Sequence, residues 1–313
     1  MLAFIKPRGN RKEGTGNRIK RSLEDHIMDK TIFVIMTFVL IVTLYPFYFT
    51  VILSFNDGLD AARGGIFLWP RVFTLDNYTQ FLSDPAWIDA LFVSIAKTGI
   101  GASLTVFFTC LVAFGLSQPE LLFKRVYMIV LLVCMYFSGG LIPYFLVLRS
   151  LGLLNTFWVY VIPTMFSVFY CILAMSFFRE IPRELYESAT IDGARDITIF
   201  IKIILPVSKA LLATLLLFAA VSQWNSWTDT AFFAPANRSL RTLSFLMREV
   251  INRNQIDLDA GQTALDIMGR HATVTSVSVQ KAAMMIAIFP IICVYPFVQK
   301  HFVKGIMLGS VKG

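Results

Sequence analysis

From Thr31 to Phe55 the chain carries no charged side chain. No other feature of the sequence constrains the fold as much. In water such a run would have to be buried on every side. In a bilayer it needs only to be a helix, because about 20 apolar residues cross the roughly 30 Å hydrocarbon core. Every backbone polar group is then satisfied inside the segment itself.

Five more apolar runs follow, at about 91–116, 126–148, 157–178, 207–224 and 279–299. They are continuous rather than alternating, which excludes a closed β-barrel. Composition agrees: 56% of residues are hydrophobic, 15% are charged and the mean hydropathy is +0.67. Soluble domains carry about 45–50% apolar and about 25% charged residues. The expected fold class is an all-α polytopic membrane protein with six transmembrane helices. The run at 31–55 is too long for the apolar part of a signal peptide, and no small-residue cleavage site follows it. Pro46 would kink it, which a membrane helix tolerates.

The distribution of Lys and Arg gives the orientation. Residues 1–30, the 118–125 turn, the 179–209 segment and the tail after 299 together hold eighteen. The alternate segments hold eight: Arg63, Arg71, Arg149 and five in the 225–278 loop. The richer side is the cytoplasm, so both termini are expected inside. The chain then reads as a basic N-terminal segment 1–30, a six-helix transmembrane domain 31–299 and a cytoplasmic tail 300–313. The net charge of +8 sits beside apolar runs, which is the pattern of a membrane protein and not of a nucleic-acid binder.

Chemistry-bearing clusters are absent from the sequence. Cys110, Cys134, Cys171 and Cys293 each lie in an apolar run with no CxxC pairing, so they read as small packing residues. His26, His271 and His301 are scattered, and no metal site is visible. No GxxxxGK[ST] phosphate loop exists, so any ATP hydrolysis must come from another chain. No Asp or Glu lies inside a span and no charged pair sits deep in one. Lys97 and Lys281 are expected to snorkel or to face the bundle.

The segment between the fourth and fifth runs is too polar to span and too patterned for a linker. Pro182 suits the first position of a helix, and Glu184 suits its positive end. Leu185, Ser188 and Ala189 fall on one face. Gly193 can take the left-handed conformation that ends a helix, and Asp196 is a good N-cap for the next. Phe200, Ile203 and Ile204 form an apolar stripe, and Pro206 bends the chain into the fifth run. Two short helices with a sharp corner are expected at the cytoplasmic face.

This segment resembles the signature of the inner-membrane subunits of type I ABC importers. That signature is Glu-Ala-Ala, three residues, Gly, nine residues, Ile, one residue, Leu-Pro. Here it reads Glu187-Ser188-Ala189, Gly193, Ile203 and Leu205-Pro206, with Asp192 and Ala194 flanking the glycine. Ser188 is the one departure, small for small. The resemblance covers nearly the whole chain and looks closest to carbohydrate-importer permeases of the maltose-transporter type. Ser138-Gly139-Gly140-Leu141-Ile142-Pro143 and the tail 304–313 resemble the branch that handles complex oligosaccharides.

The resemblance implies that the 179–206 loop is a coupling helix docked in a separate ATPase. Glu187 would make the polar contact, and Ala189 and Gly193 would allow close approach and the turn. It implies no cofactor on this chain, with ATP and Mg on the partner ATPase. The implied partners are a second permease subunit, two ATPase subunits, an extracytoplasmic solute-binding protein and a sugar or oligosaccharide. The implied location is the bacterial cytoplasmic membrane. An importer permease for a non-sugar solute and a secondary carrier are the alternative readings.

Sugars are held by aromatic faces and hydrogen-bonding groups, and Gln223-Trp224-Asn225-Ser226-Trp227 has that composition. The same residues would also suit an interfacial aromatic belt. Gly139, Gly140 and Pro143 fit either a broken helix lining a substrate pathway or close helix packing. The 225–278 loop and the acidic 56–89 loop are the surfaces expected to meet a binding protein outside.

Overall fold

The computed structural model describes residues 23–259, Thr275 and 278–293. The basic segment before residue 23, most of the 260–277 stretch and the tail, with His271 and His301, lie outside the described residues. The chain divides into two units, Met1–Phe49 and Thr50–Gly313. Among the described residues there is no strand, only an isolated bridge between Asn56 and Phe73.

The first apolar run is one helix, α1 (Leu23–Ser54), which continues through Pro46. A loop carrying α2 (Gly58–Ala62) and α3 (Asp76–Ser83) follows. It is tied by Asn77, whose amide donates to the carbonyls of Ser54 and Asn56 at 3.0 and 2.9 Å. Next comes α4 (Pro85–Ser117), which starts six residues before its expected bound. Pro85 opens it, and Asp84 caps it by accepting from the Ala86 N–H.

The remaining helices are α5 (Lys124–Tyr136), α6 (Leu141–Ser150), α7 (Val168–Arg179), α8 (Glu184–Ile191), α9 (Asp196–Ile199), α10 (Leu205–Val207), α11 (Lys209–Asn225), α12 (Thr228–Phe233) and α13 (Leu243–Asp259). An apolar helix α14 (Ser278–Cys293) ends the described chain. The expected sixth run reaches 299, and its last residues lie outside the described ones.

Alone, α1 and α4 are long and apolar enough to cross a bilayer. Among the described residues, three further helix pairs pass the same test only as bent spans. α5 and α6 meet at 113°, the 3₁₀ turns of Phe157–Thr164 meet α7 at 44°, and Asp196–Val207 meets α11 at 86°. The third run is therefore not a straight rod over 126–148. It turns at Phe137–Gly140, where Gly140 has φ +85°. Broken helices survive at membrane depth only where protein or water covers their free backbone groups.

The core is organised around α4, with α7 and α11 packed along it. Without a hydrophobic drive between helices in lipid, close approach has to supply the packing. α4 therefore offers Ala102, Val106, Cys110 and Ala113, and α7 answers with Cys171, Ala174 and Met175. Cys110 and Cys171 are the packing residues the sequence suggests, whereas Cys134 and Cys293 are exposed. A second cluster joins Phe81, Trp87 and Ala90 to Trp224, Leu243 and Ala283.

Lys97 faces the bundle and does not snorkel. It pairs with Asp229 at 3.0 Å, its side chain 1% exposed. This corrects the expectation that no charged pair sits deep: Asp229 belongs to the segment after α11, 132 positions away, and folds back.

Candidate coupling site

The elbow over 179–206 is built by local rules. Glu184 and Glu187 occupy the first turn of α8, where the positive end of the helix dipole favours them. Its end is a Schellman motif. The Gly193 N–H donates to the Thr190 carbonyl at 3.0 Å, and the Ala194 N–H donates to Ala189 at 2.9 Å. Gly193 has φ +80°, a left-handed conformation that a side chain would disfavour. One face of α8 presents Ala189, which is buried, while Glu187, Ser188, Asp192 and Gly193 are exposed and Ala194 is half-buried. Leu185, expected beside Ala189, is exposed as well.

Asp196 is not the N-cap. Arg195 holds that position, extended at φ −78° and ψ 155°, and Asp196 starts the first turn. Its carboxylate instead accepts a 2.7 Å hydrogen bond from the Tyr186 hydroxyl. That bond closes the elbow between α8 and α9. It pushes the Tyr186 hydroxyl up to about 12, with burial and the negative charges of Asp196 and Glu120 adding to the effect.

After α9 the chain forms a π-helical turn at Phe200–Ile204. Pro206 has no N–H to give the Lys202 carbonyl and crowds it, and a π turn is one way a helix absorbs such a fault. The apolar stripe seats the elbow: Ile199 and Phe200 are fully buried and Ile204 nearly so. The Phe200 ring lies 5.4 Å from that of Phe114 on α4. The exposed Pro206 then leads into the 86° bend before α11.

Beside the elbow lies a groove of about 330 Å³, lined by Phe114, Ser117, Lys124, Arg179, Tyr186 and Glu187 among others. Lys124 donates to the carbonyls of Ser117 and Gln118 at 3.2 and 2.8 Å, closing the C-terminus of α4. Burial, and then the charges of Arg179 and Arg183, hold its ammonium below the usual lysine range. Arg183 and Glu120 approach only to 3.8 Å and both are exposed, so that pair contributes little.

The pathway candidates are not gathered in one place. Gln223 is buried and donates to the Thr164 hydroxyl at 2.7 Å and to the Tyr160 carbonyl at 3.3 Å. Trp224 is buried in the second cluster, and its carbonyl accepts from the Ser244 hydroxyl at 2.6 Å. Asn225 is exposed, and Trp227 is half-buried with the Arg248 guanidinium 4.1 Å from its ring centre. Gly139 and Gly140 stand exposed at the α5–α6 corner. Among the described residues there is no group of three or more His, Cys, Asp or Glu placed to hold a metal. Sequence reasoning missed Asp229 and Tyr186. Tyr186 was within its reach, because a tyrosine ten positions before an acid across a glycine turn can close the corner.

Residues 33–307 match the family of binding-protein-dependent transport system inner membrane components. The chain is 36% identical to Protein LplC of Bacillus subtilis (strain 168), over 87% of this chain and 90% of that one. It is 35% identical to the polygalacturonan/rhamnogalacturonan transport system permease protein YtcP of the same organism, over 93% of this chain and all of that one. Among solved structures it is similar to a chain of a bacterial ABC transporter involved in the import of the acidic polysaccharide alginate. There the TM-score is 0.80 at 28% identity, over 90% of this chain and 99% of that chain. The long apolar helices, the broken spans and the match over most of the sequence lead to one conclusion: the chain belongs to the family of binding-protein-dependent transport system inner membrane components, as a multi-pass membrane transport subunit and not an enzyme.

Proposed function

We propose that this chain is one permease half of an ATP-driven importer for a sugar or oligosaccharide in the bacterial cytoplasmic membrane. Six spans carry it across the bilayer, with both termini in the cytoplasm, as the Lys and Arg asymmetry argues. A second permease chain completes the pathway. Two ATPase subunits bind ATP and Mg inside, and a solute-binding protein delivers the substrate outside. The observation that carries the reading is the near full-length likeness to a permease named for polygalacturonan and rhamnogalacturonan.

The 179–206 elbow is the contact with the ATPase. Glu187, Ser188, Asp192 and Gly193 form its exposed surface, Ala189 and Ala194 seat it, and Pro206 sets its angle to α11. Closure of the ATPase dimer pushes on α8, and α9 with its π turn passes the push to α11. Binding of ATP and of the loaded binding protein selects one of two packings of the bundle. Gly139, Gly140 and Asn225 are the exposed candidates for lining the pathway. Gln223 and Trp224 are buried and Trp227 is half-buried, so they act as supports within the bundle.

The test is ATP-dependent uptake of partially hydrolysed polygalacturonan into proteoliposomes holding the assembled transporter. Uptake that requires both ATP and the binding protein supports the reading. Uptake driven by an ion gradient without ATP would replace it with a secondary carrier.

A further inference from the structure

Lys97 is buried in the first half of α4, and nothing in the proposed transport cycle uses it. Its ammonium donates to the Asp229 carboxylate at 3.0 Å and to the Ser226 carbonyl at 3.1 Å. The third side meets the face of the Tyr160 ring, 4.9 Å away. Its donors are thus accounted for by Asp229, Ser226 and a cation–π contact. The same Asp229 oxygen accepts from the Ser226 hydroxyl at 2.6 Å.

The network continues through the segment 226–243. The Tyr160 hydroxyl donates to the Leu240 carbonyl at 2.7 Å, and Thr230 bonds Thr242 at 3.0 Å. One turn before Lys97 on α4, the Ser94 hydroxyl accepts from the Leu243 N–H at 2.8 Å. Both ends of the segment therefore hang on one face of α4, at Lys97 and at Ser94.

A buried ion pair is a poor way to add stability, since well-packed apolar residues do as well or better. What it supplies is register. Apolar helix surfaces can slide past each other at small cost, whereas a directional polar contact in an apolar setting has one position. We propose that Lys97 and Asp229 are positioning residues for transport. They lock the segment 226–243 to α4, so that a binding protein docked on the outer surface moves the bundle and not merely the loop. This rests on the importer reading above and adds to it the route by which the outside is coupled to the spans.

The test uses the assembled transporter in liposomes, with its ATPase and binding protein and with partially hydrolysed polygalacturonan as substrate. Lys97→Met with Asp229→Leu removes both charges and puts apolar side chains in their place. The double variant should assemble and unfold at or above the temperature of the parent, with basal ATP hydrolysis within about twofold. Its stimulation by the loaded binding protein should fall about tenfold, within the range of typical coupling between sites. Ser94→Ala removes the second fastening without touching the pair, and should also reduce stimulation several-fold with basal hydrolysis kept. Full stimulation in the double variant would overturn the proposal, as would loss of basal and stimulated hydrolysis in equal proportion in Ser94→Ala. The parent's own dependence on ATP and binding protein reports on the importer reading separately, so the two can fail independently.

Discussion

The Tyr186 hydroxyl donates a 2.7 Å hydrogen bond to the Asp196 carboxylate across the glycine corner of the elbow. This bond joins α8 to α9, which leads into the bundle. Two short helices joined only by a turn would flex at Gly193. With the corner closed, the push on α8 proposed above would be delivered to α9 and α11.

Tyr186→Phe should therefore leave folding largely intact and weaken transmission. A hydrogen bond to a charged group contributes about 1.5–3 kcal/mol when buried, and less in this partly exposed corner. We expect assembly with the ATPase to survive and the ratio of substrate moved to ATP hydrolysed to fall several-fold. The ratio in proteoliposomes checks this.

The same bond predicts a pH response. The Tyr186 hydroxyl is raised from an ordinary 10.0 to about 12, so the folded chain keeps this proton where the unfolded chain has lost it. Its contribution to stability is complete below about pH 10 and is lost as pH rises toward about 12. Thermal unfolding in detergent across that window should fall more steeply for the parent than for Tyr186→Phe. Equal slopes would mean that the bond does not form.

Gly193→Val should be worse than Gly193→Ala. The position is left-handed at φ +80°, which costs a side-chain-bearing residue roughly 1–2 kcal/mol and a β-branched one more. Nothing lies within 4 Å of an added methyl group, so the cost is in the backbone and not in crowding. Limited proteolysis of the elbow, faster in the valine variant, reads it out.

Gly101→Ala tests the crossing of α4 and α11. An added Cβ would sit 2.8 Å from the Gln223 side-chain nitrogen, which bonds Thr164 at 2.7 Å. The side chain can retreat only by giving up that bond in a buried site, at a cost of about 1–3 kcal/mol. The melting temperature of the purified permease should drop, and a second change, Gln223→Ala, should restore part of it.

The apolar runs were legible because lipid acts on each segment separately, and the elbow was legible because a glycine cap and a proline act within a few residues. Gly193 and Pro206 mark its corner and its exit, whereas Pro182 stands before the Arg183 N-cap of α8 and not at the first helical position. What the sequence concealed depends on partners far along the chain. Asp229 reads as a loop acid until Lys97, 132 positions earlier, folds against it. Gln223 reads as a pathway residue because its composition suits a sugar, yet it is turned onto Thr164 and Tyr160. Asp196 reads as a cap, and Tyr186 claims it first. The corner at 137–140 was visible only as two glycines, which fit close packing as well as a 113° break.

The most direct measurement replaces Glu187 with Lys in the full transporter. It asks whether the ATPase subunits still co-purify and whether substrate-stimulated ATP hydrolysis survives in liposomes. Glu187 is exposed in the first turn of α8, so the change should not disturb the permease fold. The account predicts loss of co-purification or of stimulation, with the permease still folded in the membrane. Unchanged assembly and unchanged stimulation would contradict it and would leave 179–206 as an interfacial helix with no part in coupling.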